Sequence, residues 1–424
     1  MLRLHMLKDK NDIIYNACVV ALATALALNL IITGIPAKIF YIVSYISVIF
    51  TIRHFLKEKK TGSKLFTFFL ISIFLVGLVR VSWALYFNDV YYVDVRENYL
   101  LSGKRALLAT FVIFWLYTER FRAHRLTLNI ASALLIISLF ITCFIGYYEY
   151  MESGRIKLTA DAATTSSYLI TVIGFATLWT LIQGCQSQLR SIALCLLSSA
   201  LMLFLLALTE TRSAILSIPV FLFIFFAVFF RKVNKKVRIG LMVCFLTALI
   251  ATPFFAQDRM KEIAANIQSY HHDNSTSIGA RFSIWKGGWY STTLDFLGQS
   301  PDSRTEKARL YIEKYEKSNP EAYNNVKYNL HNELLEVFSL QGIAGLITLL
   351  SFYIIGLIIG LRGIKDKTNG VFFIIAPVIM MGLTDSVLIQ ANTVMVVCIS
   401  AGLAFIWLPS EKKPLRSPGD ISVI

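Results

Sequence analysis

Apolar residues run in blocks of about 20 along most of the chain, separated by short polar connections. A helix rises about 1.5 Å per residue, so blocks of that length suit a hydrocarbon layer about 30 Å thick. Twelve blocks are readable: Ile13–Thr33, Ile35–Ile52, Leu65–Phe87, Leu100–Tyr117, Leu126–Tyr147, Ser167–Gln183, Ser191–Leu208, Ala214–Phe230, Ile239–Phe255, Gly342–Leu361, Val371–Leu388 and Thr393–Leu408. The second is the weakest, because Lys38 interrupts it. One long polar stretch, Gln257 to Leu330, breaks the series between the ninth and tenth blocks. The pattern predicts an all-α polytopic membrane protein in four parts. Helices 1–9 lie within residues 1–256, a large loop covers 257–330, helices 10–12 lie within 331–409, and a tail covers 410–424. Leu2 to Lys10 runs into a full-length block without a small-residue cleavage site, so no cleavable signal peptide is expected.

Composition strengthens this reading: 56% of the residues are hydrophobic and only 16% are charged, well away from the soluble average. Charge then orients the blocks. Alternate connections carry Arg3, Lys8 and Lys10; Arg53, Lys57, Lys59, Lys60 and Lys64; Arg120, Arg122 and Arg125; Arg190; Arg231, Lys232, Lys235, Lys236 and Arg238; Arg362, Lys365 and Lys367; and Lys412, Lys413 and Arg416. The positive-inside rule puts these in the cytoplasm, with both termini, and turns the long loop outward. The same clustering accounts for the net charge of +15 and removes the support for nucleic-acid binding. All six cysteines, Cys18, Cys143, Cys185, Cys195, Cys244 and Cys398, fall in or beside apolar blocks, which excludes a disulfide-stapled outer domain. No zinc-ligand spacing or nucleotide-binding glycine loop is present; His271-His272-Asp273 lacks further ligands at metal spacing.

Several charges on the outward side are not explained by topology. Arg212 sits in the very short turn Thr209-Glu210-Thr211-Arg212-Ser213, where it either snorkels, pairs with Glu210 or binds an anion. Arg281 begins a run in which Trp285 follows at helical spacing; a solvated charge and an interfacial anchor are the plain alternatives. Arg80, Lys104, Arg105, Arg155 and Lys157 are further outward cations. His331 opens a run, His331-Asn332-Glu333, whose Leu334, Leu335 and Phe338 recur at helical spacing, so it stands where a helix enters the bilayer and can exchange protons with water. Asp385, near the outer end of the eleventh block, is an acid placed to pair with a cation or orient another group. The segment Ser300–Tyr315 reads equally as an acceptor-facing or a solvated amphipathic helix, and Met260, Ile263 and Ile267 suggest a helix lying on the membrane.

Together, the blocks, the loop before the tenth, the T-x-T-R-S turn at Arg212, the G-A-R-x-x-x-W run at Arg281 and the H-N-E-x-x-E run at His331 resemble the bacterial O-antigen ligases of the lipopolysaccharide pathway. The likeness covers essentially the whole chain and is sharpest between Leu208 and Gly345. It implies a GT-C-like glycosyltransferase of the inner membrane, independent of metal, cofactor and ATP. Such an enzyme moves O-antigen from undecaprenyl diphosphate to the outer core sugar of lipid A-core at the periplasmic face. By the same resemblance Arg212 and Arg281 are diphosphate ligands and His331 the base, with Glu333 or Asp385 orienting the site and Arg80, Lys104, Arg155 and Trp285 in support. An O-antigen polymerase shares donor and architecture and stays open, as does a flippase, although the internal repeats common in transporters are not apparent.

Overall fold

A computed structural model describes residues 10–57, 63–231, 234, 239–240, 270, 274, 276–317 and 319–408. Among the described residues the chain is helical throughout, with no strand. Eight long helices come first: α1 (Lys10–Leu28), α2 (Ile35–Leu56), α3 (Lys64–Tyr86), α4 (Val93–Thr118), α5 (Arg125–Ser153), α6 (Ala163–Gly184), α7 (Gln188–Thr209) and α8 (Arg212–Phe229). Lys38 does not interrupt α2. The expected ninth span, together with Met260, Ile263, Ile267 and His271-His272-Asp273, lies almost wholly outside the described residues. The polar stretch supplies α9 (Ser277–Tyr290), α10 (Pro301–Tyr315) and α11 (Pro320–Asn325), and α12 (Glu333–Asp366), α13 (Phe372–Gly382) and α14 (Ala391–Ala404) close the chain. Nine of the described helices are long and apolar enough to cross a membrane, which makes this a multi-pass membrane protein.

The helices alternate between two ends. At one end lie Lys10, Arg53, Lys57, Lys64, Arg120, Arg122, Arg125, Arg190, Arg231, Arg362, Lys365 and Lys367, at or beside helix termini. At the other meet the α3–α4, α5–α6, α7–α8 and α13–α14 connections and the start of α12. Between the ends, α6 and α14 are buried along almost their whole length, whereas Ile42, Ile49, Phe68, Ile137 and Phe144 on α2, α3 and α5 are exposed. Such exposure would be an aggregation hazard in water and is the expected surface toward lipid.

The polar stretch folds as a small helical lobe. Ala280, Ile284, Ala308, Ile312, Ala322, Val326 and Leu330 form its own core. Several contacts fasten it to the bundle. Asp302 accepts from the backbone of Tyr91 and Tyr92 at 2.7 and 3.0 Å, and the Trp83 indole donates to the Gln299 carbonyl at 3.1 Å. Arg304 and Glu336, both fully buried, pair at 3.1 Å. The expected acceptor-facing face of Ser300–Tyr315 is therefore partly spent inside: Lys307 donates to Gln299, and Arg309 to Tyr92 and the Tyr323 carbonyl.

α12 is broken at Gly342, where the expected tenth span begins, with φ 59°. The 295–299 segment fits into the break: Ile343 N donates to the Asp295 carbonyl at 3.2 Å, Ala344 N to that of Phe296 at 3.1 Å, and Gln299 N to that of Leu340 at 3.0 Å. A side chain at Gly342 would begin 2.1 Å from the Asp295 oxygen, so this approach requires glycine. The first turns of α12 thereby serve both parts: Leu335 packs on the lobe core, whereas Val337 and Leu340 pack in the bundle.

The eleventh span is shorter than expected, ending at Gly382 instead of Leu388. Residues 383–390 are non-helical and mostly buried, and buried backbone groups need partners. Arg80 donates to the Leu388 carbonyl, Glu333 accepts from Leu388 N at 2.7 Å, and Asn332 donates to the Leu383 carbonyl at 3.1 Å. These side chains hold in place the segment that carries Asp385.

Candidate functional site

A cavity of about 480 Å³ opens at the end of the bundle that carries the lobe. Its wall comes from five stretches distant in sequence: Arg155; Thr164 and Tyr168; Glu210, Thr211, Arg212, Ser213 and Leu216; Ile278 and Arg281; and Thr384 and Asp385. The short turn at Arg212 is made by Glu210 in the left-handed region, φ 51°, closing α7, after which Thr211 starts α8. Arg212 is thus the first residue of an 18-residue helix whose opening residues line the cavity, and a helix N-terminus is favourable to anions. Arg155 donates to the Thr209 carbonyl at 2.7 Å and braces the same turn.

Arg281 reaches the cavity from α9, whose start is capped by Thr276 accepting from Gly279 N at 3.1 Å. The helix is held from behind by Glu316, which accepts from Ser283 at 2.9 Å, Lys286 at 3.0 Å and Tyr270 at 2.6 Å. Burial would raise the Glu316 carboxyl, but those donors and the Lys286 charge hold it below its usual range. Trp285, one turn after Arg281, donates to the His331 backbone carbonyl at 3.2 Å.

His331 sits just outside the cavity wall, in the left-handed region with φ 49°, ahead of Asn332, which caps α12 by accepting from Leu335 N at 3.0 Å. Its side chain is 27% exposed, and Nδ1 lies 3.1 Å from Asp385 Oδ1. The same carboxylate accepts from Ser386 N at 2.8 Å and from the Tyr168 hydroxyl at 2.5 Å. A carboxylate on Nδ1 selects the tautomer with the proton there and leaves Nε2 for proton transfer.

The other expected residues separate by role. Glu333 is fully buried, does not line the cavity, and lies 3.6 Å from Arg80 Nη2. Arg80 is also internal, meeting Ser102 at 3.2 Å and the Tyr99 ring at 5.3 Å. Lys104 is exposed and away from the cavity wall. Trp285 reaches His331 and not the cavity; it lines a separate apolar hollow of about 650 Å³ with Trp289, Tyr290, Tyr311, Leu334 and Phe338. Sequence reasoning missed Tyr168, a tyrosine at the start of an apolar block with no local cue to its partner 217 residues later. It also missed Glu316, hidden among alternating charges. Among the described residues no group of three or more His, Cys, Asp or Glu side chains comes together around one point.

Comparison with known proteins agrees with the motifs. The model of a family described as O-antigen ligase matches residues 197–350, a stretch that contains Arg212, Arg281, His331 and Glu333. A protein of Escherichia coli K12 named O-antigen ligase is 26% identical over 342 residues, covering 78% of this chain and 78% of that one. An uncharacterized protein of Haemophilus influenzae is 27% identical over 257 residues, covering 57% of this chain and 62% of the other. The resemblance to the O-antigen ligases therefore extends through most of the chain.

Proposed function

We propose that this relative of the O-antigen ligases is itself a membrane glycosyltransferase, an O-antigen ligase. It transfers polysaccharide from undecaprenyl diphosphate to the outer core sugar of lipid A-core at the periplasmic face of the bacterial inner membrane, with both termini in the cytoplasm. The observation that carries this reading is one cavity lined by Arg212, Arg281 and Asp385, with His331 hydrogen-bonded to Asp385. Two guanidiniums and a helix N-terminus suit a diphosphate, whose charge grows as it leaves the anomeric carbon. His331 Nε2 takes the proton of the attacking core-sugar hydroxyl as the new glycosidic bond forms, and the diphosphate departs from the opposite face, inverting the anomeric centre. Asp385 holds the imidazole during that step, while Glu333 and Arg80 hold the segment that holds Asp385. The donor is already activated, so the chemistry calls for neither ATP nor a metal. The apolar hollow beside Trp285 gives an amphiphilic substrate a hydrocarbon-compatible surface next to a charged cavity.

Purified protein given lipid-linked glycan and lipid A-core as sole acceptor should form ligated lipopolysaccharide. Chain extension on a second lipid-linked glycan, with no product on lipid A-core, would replace the ligase reading by a polymerase. Movement of the donor across vesicles without any glycosidic bond would favour a transporter.

A further inference from the structure

We propose that Tyr168 is a positioning residue for His331, acting through Asp385 and keeping that carboxylate turned toward the imidazole and away from the cavity's arginines. The inference rests on the functional reading only in taking His331 as the group that handles the proton. Tyr168 is 2% exposed on α6, a helix packed inside the bundle along almost its whole length, so its hydroxyl is a fixed point. Asp385 by contrast stands on non-helical backbone. One carboxylate oxygen accepts from Tyr168 at 2.5 Å, and the other accepts from Ser386 N at 2.8 Å and faces His331 Nδ1 at 3.1 Å. These contacts together fix the rotation of the carboxylate plane, with Tyr168 the sole side-chain hold on its far oxygen among the described residues.

That rotation has competitors. The charged groups around Asp385 are Arg155 from the α5–α6 connection, Glu210 and Arg212 from the α7–α8 turn and Arg281 from α9. Glu333, paired with Arg80, faces it from α12. A carboxylate sharing a cavity with three guanidiniums gains from a bidentate pair with one of them, and such a pair would draw it from His331. A single phenol oxygen on the far side opposes that swing without bringing a charge of its own.

The test follows the reactivity of His331 directly. Diethyl pyrocarbonate acylates the unprotonated imidazole, and peptide mass spectrometry resolves His331 from the other histidines. In Tyr168→Phe the rate of His331 acylation at one neutral pH should change at least about twofold, in the direction seen in Asp385→Asn, and adding Tyr168→Phe to Asp385→Asn should change it no further. O-methyltyrosine at position 168, which keeps the oxygen but cannot donate, should change the rate the same way and stands in if the phenylalanine variant does not fold. A rate that stays, moves against that of Asp385→Asn, or changes additively in the double variant overturns the inference. Because the labelling needs no substrate, absence of glycan transfer by the wild-type protein would sink the ligase reading while leaving this result intact.

Discussion

The Trp285 indole donates to the backbone carbonyl of His331 at 3.2 Å, so the helix that carries Arg281 is tied to the residue that carries the imidazole. Arg281 and Trp285 are one helical turn apart, which lets one helix serve the cavity and brace its neighbour. A hydrogen bond of this kind contributes about 1 kcal/mol. Trp285→Phe should therefore slow transfer about fivefold if the bond is needed in full at the transition state, since about 1.4 kcal/mol corresponds to tenfold. Initial rates with saturating donor decide it; an unchanged rate would make Trp285 an interfacial anchor only.

His331→Ala removes the proposed base while leaving the cap at Asn332 and the Trp285 contact, which involves only the backbone of residue 331. Transfer should fall about 10²- to 10⁴-fold, with the protein still recovered from the membrane fraction. Full ligation by this variant is the outcome that dismisses His331 as base.

Arg212 and Arg281 line one cavity from different helices, and their planar forks suit a diphosphate better than a point charge does. Arg212→Lys and Arg281→Lys should each lose most transfer at low donor concentration. Retention of wild-type rates by the lysine forms would mean that positive charge alone suffices.

Much of this arrangement is legible in the sequence because the bilayer imposes length. The first eight apolar blocks all correspond to helices, and Arg212, Arg281, Asp385 and His331 each sit in or beside a polar break at the end of the bundle that carries the lobe. What the blocks cannot reveal is helix interruption repaired at a distance. The eleventh span looks continuous to Leu388, yet its last residues are non-helical because Arg80, Glu333 and Asn332 satisfy their backbone. Pairings across long separations are equally hidden: Arg304 reads as a surface cation until Glu336, 32 residues later, is found against it. Tyr168 has no local signature at all, since only the fold brings it to Asp385.

The lobe should be weakened by acid in a way traceable to Glu316. Its carboxyl is held below the ordinary value in the folded protein despite burial, by Tyr270, Lys286 and Ser283. A depressed folded pKa means stability that is present above the unfolded value and lost as pH falls through the folded one. Glu316→Gln should thus destabilise the lobe at neutral pH, and the gap to wild type should narrow at pH values below about 4. Hydrogen exchange of α9 amides at several pH values reads this directly; a gap independent of pH would assign Glu316 a packing role.

Arg304 and Glu336 tie the lobe to α12: both side chains are fully buried, 3.1 Å apart, and Glu336 also accepts from Leu330 N at 2.7 Å, next to His331. Removing one partner strands the other charge, which typically costs about 3 to 5 kcal/mol. Arg304→Met alone and Glu336→Leu alone should both lower the thermal midpoint strongly and reduce transfer, because Leu330 leads into the segment that sets His331. Replacing both partners by apolar residues of similar size should recover much of the stability, since no unpaired charge remains. The double variant separates two roles: thermal stability recovered with transfer still low would show that Glu336 positions the 330–332 segment as well as anchoring the lobe. If both recover together, the pair is an anchor and nothing more.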